Sequence, residues 1–172
     1  SAASDVYKRQ VTDCVLGEDS YLEMDTVQLR GVDSTTRSTS AVLGKGAKIV
    51  VRERIMTDGD EQATTKFHVE LNGEDSGADL VSRSVARGNS HQAFYSVVEG
   101  NNRCTGHSAC DAILADNGKV DAQPALNAAN VDAQLIHEAA IGKIAGEQIL
   151  KLCSLGLTRE EAEEKIIEGF LK

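Results

Sequence analysis

The sequence predicts a mainly β fold, a right-handed parallel β-helix (β-solenoid) followed by a C-terminal α-helical hairpin, on three observations. Short segments with period-two alternation or β-branched enrichment follow one another from about residue 11 to residue 144. Clusters of Gly, Asp and Asn separate them. From residue 145 the apolar spacing changes from that of a strand to that of a helix.

Residues 1–10 fit no pattern that follows and are set aside as a leader foreign to the protein. The clearest strands are residues 48–52, 66–71 and 94–99, with turns at 44–46, 72–77, 99–102 and 116–118. A sandwich or a barrel would account for this much. Three further features favour stacked coils. A loose sub-motif recurs at irregular intervals: Gly46-Ala47-Lys48-Ile49, Gly77-Ala78-Asp79-Leu80 and Asn117-Gly118-Lys119-Val120. Residues 109–136 are rich in Ala, Asn, Val and Asp, small enough to stack inside a narrow coil. The single proline, Pro124, is expected at a corner, because a central ladder would lose a hydrogen bond there.

Apolar residues at 145, 149, 152 and 153 form one helical face, ended by Gly156. Thr158 and Glu161 then make a capping box, opening a second helix with an apolar stripe of Ala162, Ile166, Ile167, Phe170 and Leu171. The β-helix core is thus expected over residues 11–144 and the helical segment over 145–172.

Composition excludes several classes. A net charge of −9 argues against a nucleic-acid backbone binder or a helix lying on anionic lipid. No apolar run is long enough to span a bilayer, and residues 1–10 lack the pattern of an export signal, so a soluble, cytoplasmic protein is expected. Trp is absent and Tyr95 is the only tyrosine after Tyr21, which disfavours a β-helix carbohydrate-active enzyme with an aromatic sugar groove. The four cysteines, at 14, 104, 110 and 153, form no CxxC pair, so neither a zinc ribbon nor a thioredoxin-type motif is available. Reduced thiols are expected. Cys153 lies on the first helical stripe and is read as a small buried hydrophobe. On an uninterrupted strand Cys104 and Cys110 share a face while His107 points away, and the neighbours His137 and Glu138 face opposite sides. His68 and His91 fall in polar alternations and are read as solvated.

Residues 106–113 (GHSACDAI), 132–144 (DAQLIHEAAIGKI), 146–148 (GEQ) and the run from Leu155-Gly156-Leu157-Thr158 to Gly169-Phe170 resemble the carboxy-terminal signature of the SufB/SufD family of iron–sulfur cluster assembly scaffolds. The resemblance is clear over 106–172 and weaker upstream. Family members are longer at the amino end, so the chain is expected to begin inside the β-helix. The resemblance implies a scaffold, not an enzyme, on which a transient iron–sulfur cluster is built with a SufC-like ABC ATPase that hydrolyses the ATP. Cys110 matches the cysteine of the CD motif, Glu138 the glutamate of the HEA motif, and His137 a histidine shared by the SufB and SufD types. Thiolate, imidazole and carboxylate are all ligands for iron, and a mixed set suits a cluster that must be handed on.

Ile136 stands where SufB carries a second acidic residue, and Ile149-Leu150-Lys151-Leu152 replaces a common aromatic pair. Both departures resemble the shorter single-subunit SufB/SufD-like proteins, which implies a homodimer, with a SufB/SufD paralogue as the alternative partner. A SufD-like subunit that supports the complex without ligating iron is the second functional reading. Family members contact SufC through the carboxy-terminal helices, and here the face opposite the apolar stripe offers Glu160, Glu163 and Glu164 to that partner.

Overall fold

The structure, a computed structural model, describes residues 6–29 and 31–172. Ten strands are followed by two helices: β1 (Tyr7–Leu16), β2 (Tyr21–Leu29), β3 (Ser34–Leu43), β4 (Lys48–Thr57), β5 (Gln62–Leu71), β6 (Ser76–Ala86), β7 (His91–Gly100), β8 (Cys104–Leu114), β9 (Lys119–Ala128), β10 (Ala133–Lys143), α1 (Gly146–Ser154) and α2 (Arg159–Phe170). Odd strands form one five-stranded sheet in the order β1-β3-β5-β7-β9, and even strands the other, β10-β8-β6-β4-β2. Every neighbouring pair is parallel. The chain therefore winds as a parallel β-solenoid, one odd and one even strand per coil.

Register shows how regular the coil is. Tyr7 pairs with Ser34, Ser34 with Gln62 and Gln62 with His91, steps of 27, 28 and 29 residues. The recurring sub-motif does not mark these steps. Ile49 pairs with Ala78 rather than Leu80, and residues 117–120 open β9, in the other sheet. It caught two kinds of corner with similar chemistry. Corners turn through left-handed residues, among them Gly46 at φ 64° and Asp75 at φ 58°. At Gly73 glycine is required by space, since a Cβ would sit 2.0 Å from the carbonyl carbon of Gly44 one coil below.

Two expectations are corrected. The strands begin at Tyr7, not Val11: residues 7–10 form the first part of β1, paired with residues 34–37, while residues 1–5 lie outside the described residues. β1 ends its sheet, and its residues 7–11 are all exposed, so burial alternation begins only at residue 12. Pro124 is not at a corner but within β9, the other end strand of that sheet, where the side it leaves without a donor has no further strand to bond.

The interior divides lengthwise. One half is aliphatic, with Leu43, Leu71, Ile49, Val51, Val69, Leu80 and Val98 at 1% exposure or less. The ladder Leu16–Leu43–Leu71 stacks like on like in register. The other half is polar. Glu53 is buried, and its carboxylate accepts from Arg37 (2.8 Å), Thr65 (3.0 Å) and Ser82 (3.1 Å). Gln92 donates to Thr57 Oγ1 and to the Val85 carbonyl, and Ser96 bonds Ser108, all out of water. Burial raises the Glu53 carboxyl above its ordinary value, opposed by Arg37 and the two hydroxyls.

The helical hairpin packs along the flank, where even strands end. The predicted capping box is present, Thr158 Oγ1 accepting from Glu161 N (3.2 Å) and Glu161 accepting from Thr158 N (2.8 Å). From α2, Ile167 packs with Met56 and Val85, joined by Ile113, Ile144, Phe170 and Leu171, and Ala162 is also buried. α1 buries only Ile149, and Cys153 is half-buried rather than fully enclosed. Gly156 takes φ 98° after α1, the left-handed stop expected there. No helix is long and apolar enough to cross a membrane among the described residues.

Truncating one partner of the internal ion pair strands the other charge. Arg37→Leu is expected to lower unfolding free energy by about 3 kcal/mol, and Arg37→Met combined with Glu53→Leu to restore most of it. Urea denaturation of the two variants checks this, and equal losses in both would contradict it.

Candidate functional site

The site residues expected from the sequence lie on β8 and β10, adjacent parallel strands of the even sheet. Alternation sends Cys104, Gly106, Ser108 and Cys110 inward, while His107 is turned to the outer face. In β10, Leu135 and His137 face in, and Ile136 and Glu138 face out. Register places His137 beside Ser108, and Ala139 beside Cys110. Cys110 and His137 thus share the interior, one strand over and two residues along. Glu138 lies on the other side of the sheet, as the parity of adjacent residues predicts.

Cys110 has no exposed surface. Burial, with smaller repulsion from Asp111 and Glu53, pushes its thiol up to about 11. At neutral pH it is protonated, and it ligates metal only if its proton leaves. It belongs to the seam Glu53–Ser82–Cys110–Ala139, in which each residue pairs with the next across the sheet. Cys104, also buried, sits at the opposite end of β8 and does not join this group.

Both ring nitrogens of His137 are shielded from solvent and lack a hydrogen-bond partner. Burial, and then the charge of His107, lowers its basicity. A neutral imidazole keeps a lone pair, so His137 presents an uncommitted donor one strand over and two residues along from the Cys110 thiol. Such a group is costly to bury unless something completes it.

On the outer face Glu138 belongs to a chain of charge-assisted bonds that the sequence reading missed. Arg52 donates to Asp79 (2.8 Å), Asp79 engages His107 Nδ1 (2.8 Å), and His107 Nε2 meets Glu138 (3.2 Å). Both nitrogens donate only when the ring is protonated. The bond to Asp79 raises the His107 pKa, burial opposes, and Glu138 adds to the rise. Parity had set His107 apart from the cysteines. Its pairing with Glu138 would have needed the coil length, which brings residues 28 and 31 apart into contact.

The three α2 glutamates are not equivalent. Glu160 is exposed, Glu163 pairs with Arg159 within the helix (3.2 Å), and Glu164 reaches Arg87 of the β body (2.6 Å). Glu164 is therefore not part of a free rim: its charge ties the helix to the coil.

Residues 1–170 match the family described as SUF system FeS cluster assembly, SufBD core domain. Curated proteins named as iron–sulfur cluster assembly SufBD family proteins are similar to the chain. One from Archaeoglobus fulgidus is 37% identical over 125 residues, 72% of this chain and 32% of the relative. One from Methanothermobacter thermautotrophicus is 30% identical over 172 residues, 98% and 42% respectively. One from Pyrococcus horikoshii is 28% identical over 169 residues, 97% and 38%. The chain thus spans about a third to two-fifths of these relatives.

Because its folded pKa is raised above the ordinary value near 6.5, His107 contributes stability that is fully present below about 6.5 and is lost as pH rises through the folded pKa. Ring resonances should titrate above 6.5 in the folded chain and move back toward it in Asp79→Asn. NMR titration reads this, and an unshifted His107 in the parent would refute the bonded chain.

Proposed function

The chain belongs to the SufBD family of iron–sulfur cluster assembly proteins, and from that premise we propose that it is a scaffold component that holds a nascent cluster without catalysing a reaction itself. The observation that carries this reading is the unpartnered His137 imidazole, one strand from the inward Cys110. The cluster is cargo. A thiolate and an imidazole suit iron, and two protein donors hold it less firmly than four thiolates would. The protonated Cys110 makes loading a proton-releasing step.

Within one chain Glu138 is separated from Cys110 by the sheet. Its role in ligation would come from a second chain, either an identical copy or a SufB/SufD paralogue, meeting the last coil. Support comes from that coil: Leu126, Ile136 and Ile141 are 40%, 58% and 39% exposed, the state of a surface suited to a partner. ATP hydrolysis would reside in a SufC-like ABC ATPase docked on the helical hairpin, in the cytoplasm. α1 exposes Leu150 and α2 offers Glu160 and Glu163. A SufD-like subunit that supports the complex without ligating iron is the alternative.

Anaerobic reconstitution of the full-length protein with iron and sulfide, read by absorption and Mössbauer spectra, tests the scaffold. Cys110→Ala and His137→Ala should each lose most of the cluster, and Cys104→Ala should keep it. Undiminished cluster in the first two would refute the assignment, and no uptake by the parent would favour the SufD-like reading. For docking, Glu160→Lys with Glu163→Lys should weaken ATPase binding several-fold at low salt with almost no change in melting. Glu164→Lys should also lower the melting temperature, because it breaks the contact with Arg87. Unchanged ATPase affinity in the double variant would remove α2 as the docking face.

A further inference from the structure

On the outer face of the odd sheet, the opposite wall of the coil from β8 and β10, we propose a second metal site: His68, Glu70 and Glu99 bind one first-row divalent cation. The three side chains each present one ligand atom, and these atoms lie within 4.8 Å of one another. His68 and Glu70 are on β5 and Glu99 on β7, both interior strands of a parallel sheet, so the donors stand on rigid elements rather than on a loop.

Three features distinguish this group from a chance meeting of surface charges. Glu70 and Glu99 are directly opposite in register, an arrangement of like charges that destabilises adjacent strands. The same row continues with Val42 on one side and Asn127 on the other, so no basic neighbour in the row offsets them. Among the described residues neither glutamate pairs with a lysine or arginine, and the imidazole is the only cationic candidate for Glu99. A bound cation would turn that repulsion into shared ligation.

Orientation is the second feature. Asn101 donates to Asn72 Oδ1 (2.7 Å), which fixes the Asn72 amide so that its NH2 donates to Glu70 Oε2 (3.3 Å). Glu70 is thereby held by a supporting hydrogen bond and keeps Oε1 available, the outer-shell support that metal carboxylates ordinarily have.

Spacing is the third. Nε2 of His68 and Oε1 of Glu99 are 3.2 Å apart. Two donors about 2.1 Å from one ion are separated by roughly 3.0 Å at a right angle and roughly 3.4 Å at the tetrahedral angle. The observed separation falls between them. One imidazole with two carboxylates selects ions of intermediate character, zinc, iron(II), cobalt or manganese, over calcium or magnesium.

Cobalt(II) is the probe, because its spectrum separates this site from the cysteines. The full chain should take up one equivalent that shows d–d absorption without a thiolate charge-transfer band, and that paramagnetically shifts the His68 ring resonances. His68→Ala and Glu99→Gln should each weaken this binding at least tenfold, with melting of the metal-free proteins unchanged or slightly raised. Cys110→Ala should leave it intact. Equal binding in parent, His68→Ala and Glu99→Gln would overturn the site, as would a spectrum bearing only thiolate ligation or no uptake at millimolar cobalt.

Discussion

Parallel in-register pairing, one coil on the next, is the constraint on which the rest of this structure depends. A coil of 27 to 29 residues returns the chain to the same place, so whatever is buried at one level must match what lies above and below it. Leucine over leucine satisfies this through contact. A carboxylate can satisfy it only with hydrogen-bond donors. Arg37 lies on β3, the strand before Glu53 in the same coil, while Thr65 on β5 and Ser82 on β6 belong to the next coil. The carboxylate therefore joins two levels, through the ion pair within its own coil and the two hydroxyls of the next. Breaking such a pair costs far more than replacing both partners by well-packed apolar residues.

The same constraint couples the interior to the site. Cys110 stands two levels from Glu53 in a single inward row, with Ser82 between them. A buried negative group there adds to the desolvation that keeps the thiol protonated. His137, at the next level, is kept neutral by burial and by the cation on the opposite side of the sheet. Two donors of opposite tendency, one needing to lose a proton and one already without it, thus occupy neighbouring positions. The outer chain from Arg52 to Glu138 supplies that cation, so the two faces of the sheet communicate electrostatically though no side chain passes through.

Much of this was legible in the residues. Alternation in 66–71 and 94–99 gave strands, the Thr158/Glu161 box and Gly156 gave the helix boundaries, and parity alone separated His137 from Glu138. What escaped was everything that needed the coil length. No local signal in Arg52-Glu53-Arg54 ties Glu53 to Arg37, 16 residues away. His68 read as solvated, and it is half exposed, yet its partner Glu99 is 31 residues away. Pro124 was placed at a corner because proline is excluded from a central ladder. It sits instead on an end strand, which no single-segment rule distinguishes. Glu164 was counted with the free rim because helical spacing cannot say which flank of the stripe meets Arg87.

The terminal coil carries one more consequence. In a stack where each level touches only its neighbours, cooperativity is one-dimensional, and the free energy of opening a level depends on how many neighbours it has. β9 and β10 have a neighbour on one side only, so amide protection should decline toward them as a gradient rather than a step. His137 lies on that fraying level while Cys110 lies one level deeper. The pair therefore spans the boundary between the persistent and the transient parts of the stack. Transient separation of β10 from β8 would uncover the buried thiol without unfolding the body that holds it.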